Sequence, residues 1–460
     1  MRSLLRSRRG SVAFATVVAL IPLIGVVALG GEAGSWYVTR QHAQNAADAA
    51  AVSGAMQQLC ISNAPCAVTQ TVDYRGKQSA AQNAFCNAGA TSYPGSVCSA
   101  SLPTGVAQTV TITPLGSWNG TPGNFVQATV SQQQPAYLAQ VVGLTTVNIG
   151  ATAVAQVKSV TYPPCVLSLT GSISFQGSPN INAPNCGMAS NDKAADAINF
   201  TGGGMSMNLG SLSTVGGCTG AATFCNTALK YLPAPTKNPF SDLDGALTTL
   251  CGANPTLPTK CGLPPCDTKS GLVAYNATVT ALKCTNDGYK TKGNTPPQTL
   301  SPGVYFISGT LTMTAQSEID GPGVTFILLP GAQFDMKGGA FLNISGPATA
   351  PSTSSLPASL QSYASLFQYM SMYVAPVTPA TSAPPMIFGG NSNINLTGNI
   401  YAPTAAVTFQ GNPTIAVGGA GGCGQLIAAS IAFNGNATFD TTGCPSQTKI
   451  PKSQYVQLVQ

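Results

Sequence analysis

The chain has 460 residues, a formal net charge of +6 and only 7% charged side chains, while Gly (50) and Pro (34) are abundant. Four arginines (2, 6, 8 and 9) stand before the first apolar run, so the remainder is close to neutral and offers no basic patch for nucleic acid. A hydrophobic fraction of 44% excludes a disordered polyelectrolyte and points to a turn-rich β architecture of two or three domains.

In chain order, a basic tail (1–11) precedes VAFATVVALIPLIGVVALGG, twenty uncharged residues at 12–31. That length crosses a bilayer as a helix, and the arginines before it favour an internal N-terminus. Trp36 and Tyr37 fall where interfacial aromatics belong. The run is long for a cleaved signal and no A-x-A site follows, so a retained anchor is expected. RQHAQNAADAAAVSGA then reads as a stalk helix over 32–59, with Gly30, Gly31 and Gly34 loosening its start. Ala43, Ala47, Ala50 and Gly54 recur along one face, a small-residue strip that admits a close partner helix.

This region resembles the N-termini of TadG-like proteins of Flp/Tad pilus assembly. The resemblance rests on Arg9-Gly10, the apolar span, Glu32, Tyr37, and Gln44 to Ala55 with Asp48. FVQATVSQQQPAYLAQVVGLTTVNIGATAVAQV (125–157) adds a second echo, a strand, a Pro-aromatic segment and a final strand. It implies a small α/β Tad-type module over 60–158, a bacterial inner membrane, and pilus-assembly components or a second copy as the partner of the alanine face. Prepilin-like relatives are cut after the glycine and carry glutamate at the fifth mature position. Here that position is Ala15, so a stationary anchor fits better than a processed pilin. The family's DxSxS metal signature is absent, and metal-dependent adhesion is not carried over.

The larger part, 165–445, repeats itself. CVLSLTGSISFQGSPNINAPNC (165–186) aligns without a gap on CGQLIAASIAFNGNATFDTTGC (423–444). An apolar-x-apolar strand, a polar residue and a glycine recur at Ile198, Phe334, Ile394 and Val407. Start-to-start spacings are 25 (Ile173 to Ile198), 23 (Leu311 to Phe334) and 24 (Val407 to Ile431), as one solenoid coil requires. The expected fold class is therefore mainly β: transmembrane helix and stalk, small α/β module, then a right-handed parallel β-helix (solenoid) stapled by disulfides. A β-sandwich is the rival.

Fourteen cysteines without a CxxC, and a single His42, favour disulfides over zinc. Residues about 21 apart meet on successive coils, which pairs Cys165 with Cys186 and Cys423 with Cys444, each as a staple near one end. Two insertions interrupt the rhythm, 218–297 with six cysteines and 346–385. In the latter, Leu360, Tyr363, Phe367 and Met370 line one face of a helical pattern that packs along the solenoid. Residues 446–460 read as a tail.

Chemistry is sparse. Glu318 and Asp320 share a strand face and are the best carboxylate pair, though SEIDGPG reads equally as a coil ending in a turn. Asp192, Asp196, Asp242 and Asp244 read as caps or solvated loop charges. His42 on the stalk is remote from every candidate nucleophile. The expectation is a non-enzymatic structural protein without cofactor, metal or small-molecule substrate, anchoring or organising a Tad/Flp-type pilus or secretion apparatus. The alternatives are a surface adhesin whose solenoid binds glycan or host surface, and a β-helix enzyme acting on polysaccharide through Glu318 and Asp320.

Overall fold

A computed structural model describes residues 8–460 except 63–69, 88, 100, 252–257, 268–271, 284, 292–297, 314–315, 337, 418–423 and 442–449. The chain divides into two compact units, Met1–Lys158 with Tyr455–Gln460, and Ser159–Gln454.

The first unit begins with one uninterrupted helix, α1 (Arg8–Ser62), that carries Pro22 within it. Its N-terminal part is long and apolar enough to cross a membrane, and its most apolar window is 0% buried among the described residues. Its second half and a short helix, α2 (Val72–Gln82), cover one face of a sheet. The Thr71 hydroxyl accepts from the Tyr74 N–H at 3.1 Å and so starts α2. The sheet runs antiparallel through β1 (Ala107–Trp118), β2 (Thr121–Pro135) and β3 (Thr146–Ser159). Gln454–Leu458, which the sequence assigns to a tail, adds the fourth strand beside β3.

The second unit is a parallel β-solenoid of 20 linked strands among the described residues, laid on three faces. The spacings read from sequence are its registers: Ile173 pairs with Ile198, Leu311 with Phe334, and Val407 with Ile431. Inside, Phe388, Phe409, Phe433, Phe175 and Phe200 occupy one register position on successive coils, with centroids 4.8 to 5.3 Å apart. Two residues after four of these rings the chain turns a corner, where Gly390, Gly411, Gly435 and Gly177 have positive φ. A Cβ on Gly435 would lie 2.4 Å from the Gly411 carbonyl oxygen, so the coils stack at this corner only through glycine.

Sequence order and stacking order differ. Residues 164–219 wind to one end of the stack, whereas residues 285–440 begin at the other end and wind back. The last coil therefore lies in register on the first, Leu426 on Val166, Ile431 on Ile173 and Phe439 on Ile181. Cys165 and Cys186 do form a disulfide, with Cα atoms 5.6 Å apart. It sits at this mid-stack seam, and not near an end as expected, because the first coil in sequence is an inner coil of the stack. Cys423 and Cys444 lie outside the described residues. Cys86–Cys98, Cys218–Cys225 and Cys251–Cys261 are also bonded.

The central cysteine-rich stretch is the return path from one end of the stack to the other. Its Phe240, Leu243, Leu247 and Leu263 bury the outer side of one solenoid face, against Ile327, Tyr373, Tyr401 and Ile427. Leu360, Phe367 and Met370 are buried there too, with Tyr363 packed alongside. They do not share a helix: Ala358–Gln361 and Ala364–Phe367 are single turns, and Met370–Val374 is a solenoid strand. Gln368, with extended backbone at ψ 128°, ends the second turn.

Candidate functional site

The small-residue face of α1 is occupied from within the chain. Ala43, Ala47 and Ala50 have 0% exposure and Gly54 is buried. The face they cover is lined by Val126 and Ile112, and Ala128 and Ala153 lie in register with Ile112 on the same side of the sheet. A Cβ on Gly54 would stand 2.9 Å from Val126 Cγ1, and one on Gly76 of α2 would stand 2.7 Å from Ile112. The Ser53 hydroxyl donates to the Arg75 carbonyl at 3.2 Å, and Gln57 Nε2 to that of Gln70 at 2.7 Å. The face expected to receive a partner helix is thus the seat of the chain's own α/β module. Close approach of helix to sheet is what its alanines permit.

Earlier on α1, where the apolar run ends, Glu32 receives the β2–β3 connection. Its Oε1 accepts from the Tyr137 N–H at 2.6 Å, and its Oε2 from the N–H groups of Leu138 and Ala139 at 3.0 and 2.8 Å. These amides open the single turn Ala139–Val142, whose first N–H groups have no partner within the turn. Pro135 ends β2, Gly143 at φ +90° closes the turn, and the Ala136 N–H to Thr145 carbonyl bond at 3.1 Å ties its ends. Between helix and turn lies a cleft of about 460 Å³, lined by Val27, Gly31, Trp36, Val106, Pro135 and Leu138 among others. Trp36 is half-buried in this lining, and Tyr37 next to it is exposed. The sequence marks Glu32 only as a lone acid after an apolar run; its backbone partners lie more than a hundred residues on.

Glu318 and Asp320 do share an outer strand face, with Ile319 pointing inward. Asp320, however, heads a polar ladder: Asn343 Nδ2 donates to its carboxylate at 2.8 Å, and Asn395 Nδ2 to Asn343 Oδ1 at 2.9 Å. Asp440, Asn182 and Asn208 repeat this ladder further along the same face, at 3.2 and 2.9 Å. Each aspartate accepts from an asparagine of the next coil, and the chain of side-chain bonds knits coils together. Asp192 accepts from the Ala194 N–H, a loop turn.

Asp244 is not a solvated loop charge. The Tyr401 hydroxyl donates to it, Asn238 Nδ2 donates to that hydroxyl at 2.8 Å, and Tyr373 donates to the Leu243 carbonyl at 2.7 Å. Burial pushes the Asp244 carboxyl above the usual aspartate range, against the Tyr401 hydrogen bond. The cluster pins the return path to the solenoid.

Residues 10–57 match the family model of putative Flp pilus-assembly TadE/G-like proteins. The match covers the apolar run, Glu32, Asp48 and the alanine face, the residues that carry the resemblance. No curated protein matches the chain.

Proposed function

We propose that this chain is a single-pass, membrane-anchored structural component of a Tad/Flp-type pilus-assembly or secretion apparatus in a bacterial envelope. The observation that carries the reading is the coincidence of the family match at 10–57 with a helix whose first half is a free apolar span. The N-terminal arginines favour a cytoplasmic tail by the positive-inside rule. Both units carry disulfides, which favours an oxidising compartment beyond the inner membrane. Trp36 and Tyr37 set the depth of the helix at the outer boundary.

Because the alanine face serves the chain's own module, partner contact falls to the opposite side of α1, where Tyr37 and Val38 are exposed. The experiment is photo-crosslinking in living cells from position 38, with adducts identified by mass spectrometry. Adducts to pilin-like or platform proteins of the apparatus support the reading. No adduct, or adducts only to a second copy, would transfer it to the surface adhesin.

A further inference from the structure

The β2–β3 turn carries three large apolar side chains in the open: Tyr137 (73% exposed), Leu144 (49%) and Leu138 (42%). They lie on a turn fixed by hydrogen bonds at both ends, so their exposure is built in. No Asp, Glu, Lys or Arg occurs anywhere from Gln78 to Val157. Leu138 and Tyr137 line the same cleft as Val27 and Gly31 of α1, which belong to the apolar run. Whatever surrounds Val27 therefore also reaches the turn.

We propose that the turn Tyr137–Leu144 is a second membrane contact, seated in the interfacial layer of the bilayer beside the span and held at that depth by Glu32. The inference rests on the reading that α1 crosses a membrane. Its occupant is lipid, because the patch is continuous with the span itself, the turn carries no charged side chain, and the carboxylate beside it is engaged by three backbone amides. In water the same patch would be a site of aggregation. A tyrosine at the water–hydrocarbon boundary keeps its hydroxyl wet and its ring in the apolar layer. Backbone N–H groups that lose water toward the hydrocarbon need an internal acceptor. The Glu32 carboxylate does this for three successive amides, and its own charge is spread over the same three bonds. The first unit then stands on two feet, a helix and a turn, which fixes its rotation about the helix axis as well as its depth.

The test uses the full chain in nanodiscs made from lipids brominated at defined acyl positions. Single tryptophan reporters replace Tyr137, Leu144 or Leu23 in a Trp36→Phe, Trp118→Phe background, and retained circular dichroism certifies the fold. Tyr137→Trp and Leu144→Trp are expected to lose at least half their fluorescence to bromines near the headgroup, and to be shielded from iodide. A tryptophan at Tyr231, exposed on the other unit, serves as the aqueous reference. If Leu23→Trp is quenched while both turn reporters behave like that reference, the turn is not seated in lipid and the proposal falls. Should Leu23→Trp also escape quenching, the anchor reading fails with it. Adding Glu32→Ala should cut the quenching at position 137 at least twofold; unchanged quenching would remove Glu32 from its role.

Discussion

Phe433 stacks face to face on Phe175, centroids 5.3 Å apart and planes 8° from parallel, although one belongs to the last coil in sequence and the other to the first. The contact joins these two coils alongside the parallel pairing of Ile431–Gly435 with Ile173–Gly177. The Val160 N–H to Ser453 carbonyl bond at 3.0 Å lies where the chain enters and leaves the same unit. Both rings have 0% exposure. Phe175→Ala or Phe433→Ala should each cost about 3–5 kcal/mol in chemical unfolding of the detergent-solubilised chain. The double variant should show coupling of about 0.5–1.5 kcal/mol, since each ring is the other's stacking partner. Strict additivity would mean that the seam is open in solution.

The glycine corner makes a sharper demand. At Gly435 an alanine meets positive φ, which costs about 1–2 kcal/mol, and a carbonyl oxygen 2.4 Å from its Cβ. Overlap of that kind adds about 1–3 kcal/mol. Gly203→Ala on the same unit has nothing within 4 Å of the new methyl and should be close to neutral. Denaturation midpoints of the two variants, measured side by side, check this.

The coil was legible because an inward phenylalanine, a polar residue and a corner glycine recur at one register: Phe175-Gln176-Gly177, Phe409-Gln410-Gly411, Phe433-Asn434-Gly435. The stacking order was not, for the same reason: coils with one register fit on one another in any order. The return path packs over Tyr373 and Tyr401 through long-range contacts that no local pattern announces. The alanine face of α1 was legible as a close-packing surface, but small residues do not say whose backbone approaches. The discriminating signal lay in β2 and β3, whose buried Val126, Ala128, Ala153 and Ala155 share one face that needs a cover. Glu32 kept its role hidden because backbone amides leave no side-chain pattern.

Occupation of the alanine face predicts an intramolecular penalty for enlarging it. Ala47→Leu should destabilise the first unit by about 1–3 kcal/mol, since Ala47 has 0% exposure and three added carbons must displace packed neighbours. Limited proteolysis of the full chain in nanodiscs should then cut β1 to β3 sooner while sparing the solenoid. A face open to a foreign helix would leave the isolated chain's protection unchanged.

Asp244 gives the return path a pH dependence whose sign follows from its burial. Its carboxyl titrates above the usual range in the folded chain and near 3.9, roughly, once unfolded. Between those two values the folded state holds the proton that the unfolded state has released. Stability contributed by this group is therefore complete below about pH 3.9 and declines as pH rises through the folded value, then stays flat. Asp244→Asn keeps an acceptor for the Tyr401 hydroxyl and cannot ionise, so its stability should lack that decline. Unfolding midpoints of both forms between pH 4 and pH 8 should diverge in favour of the variant as pH rises. A constant difference across the range would mean that Asp244 titrates alike in both states, and that water, not the solenoid face, solvates it.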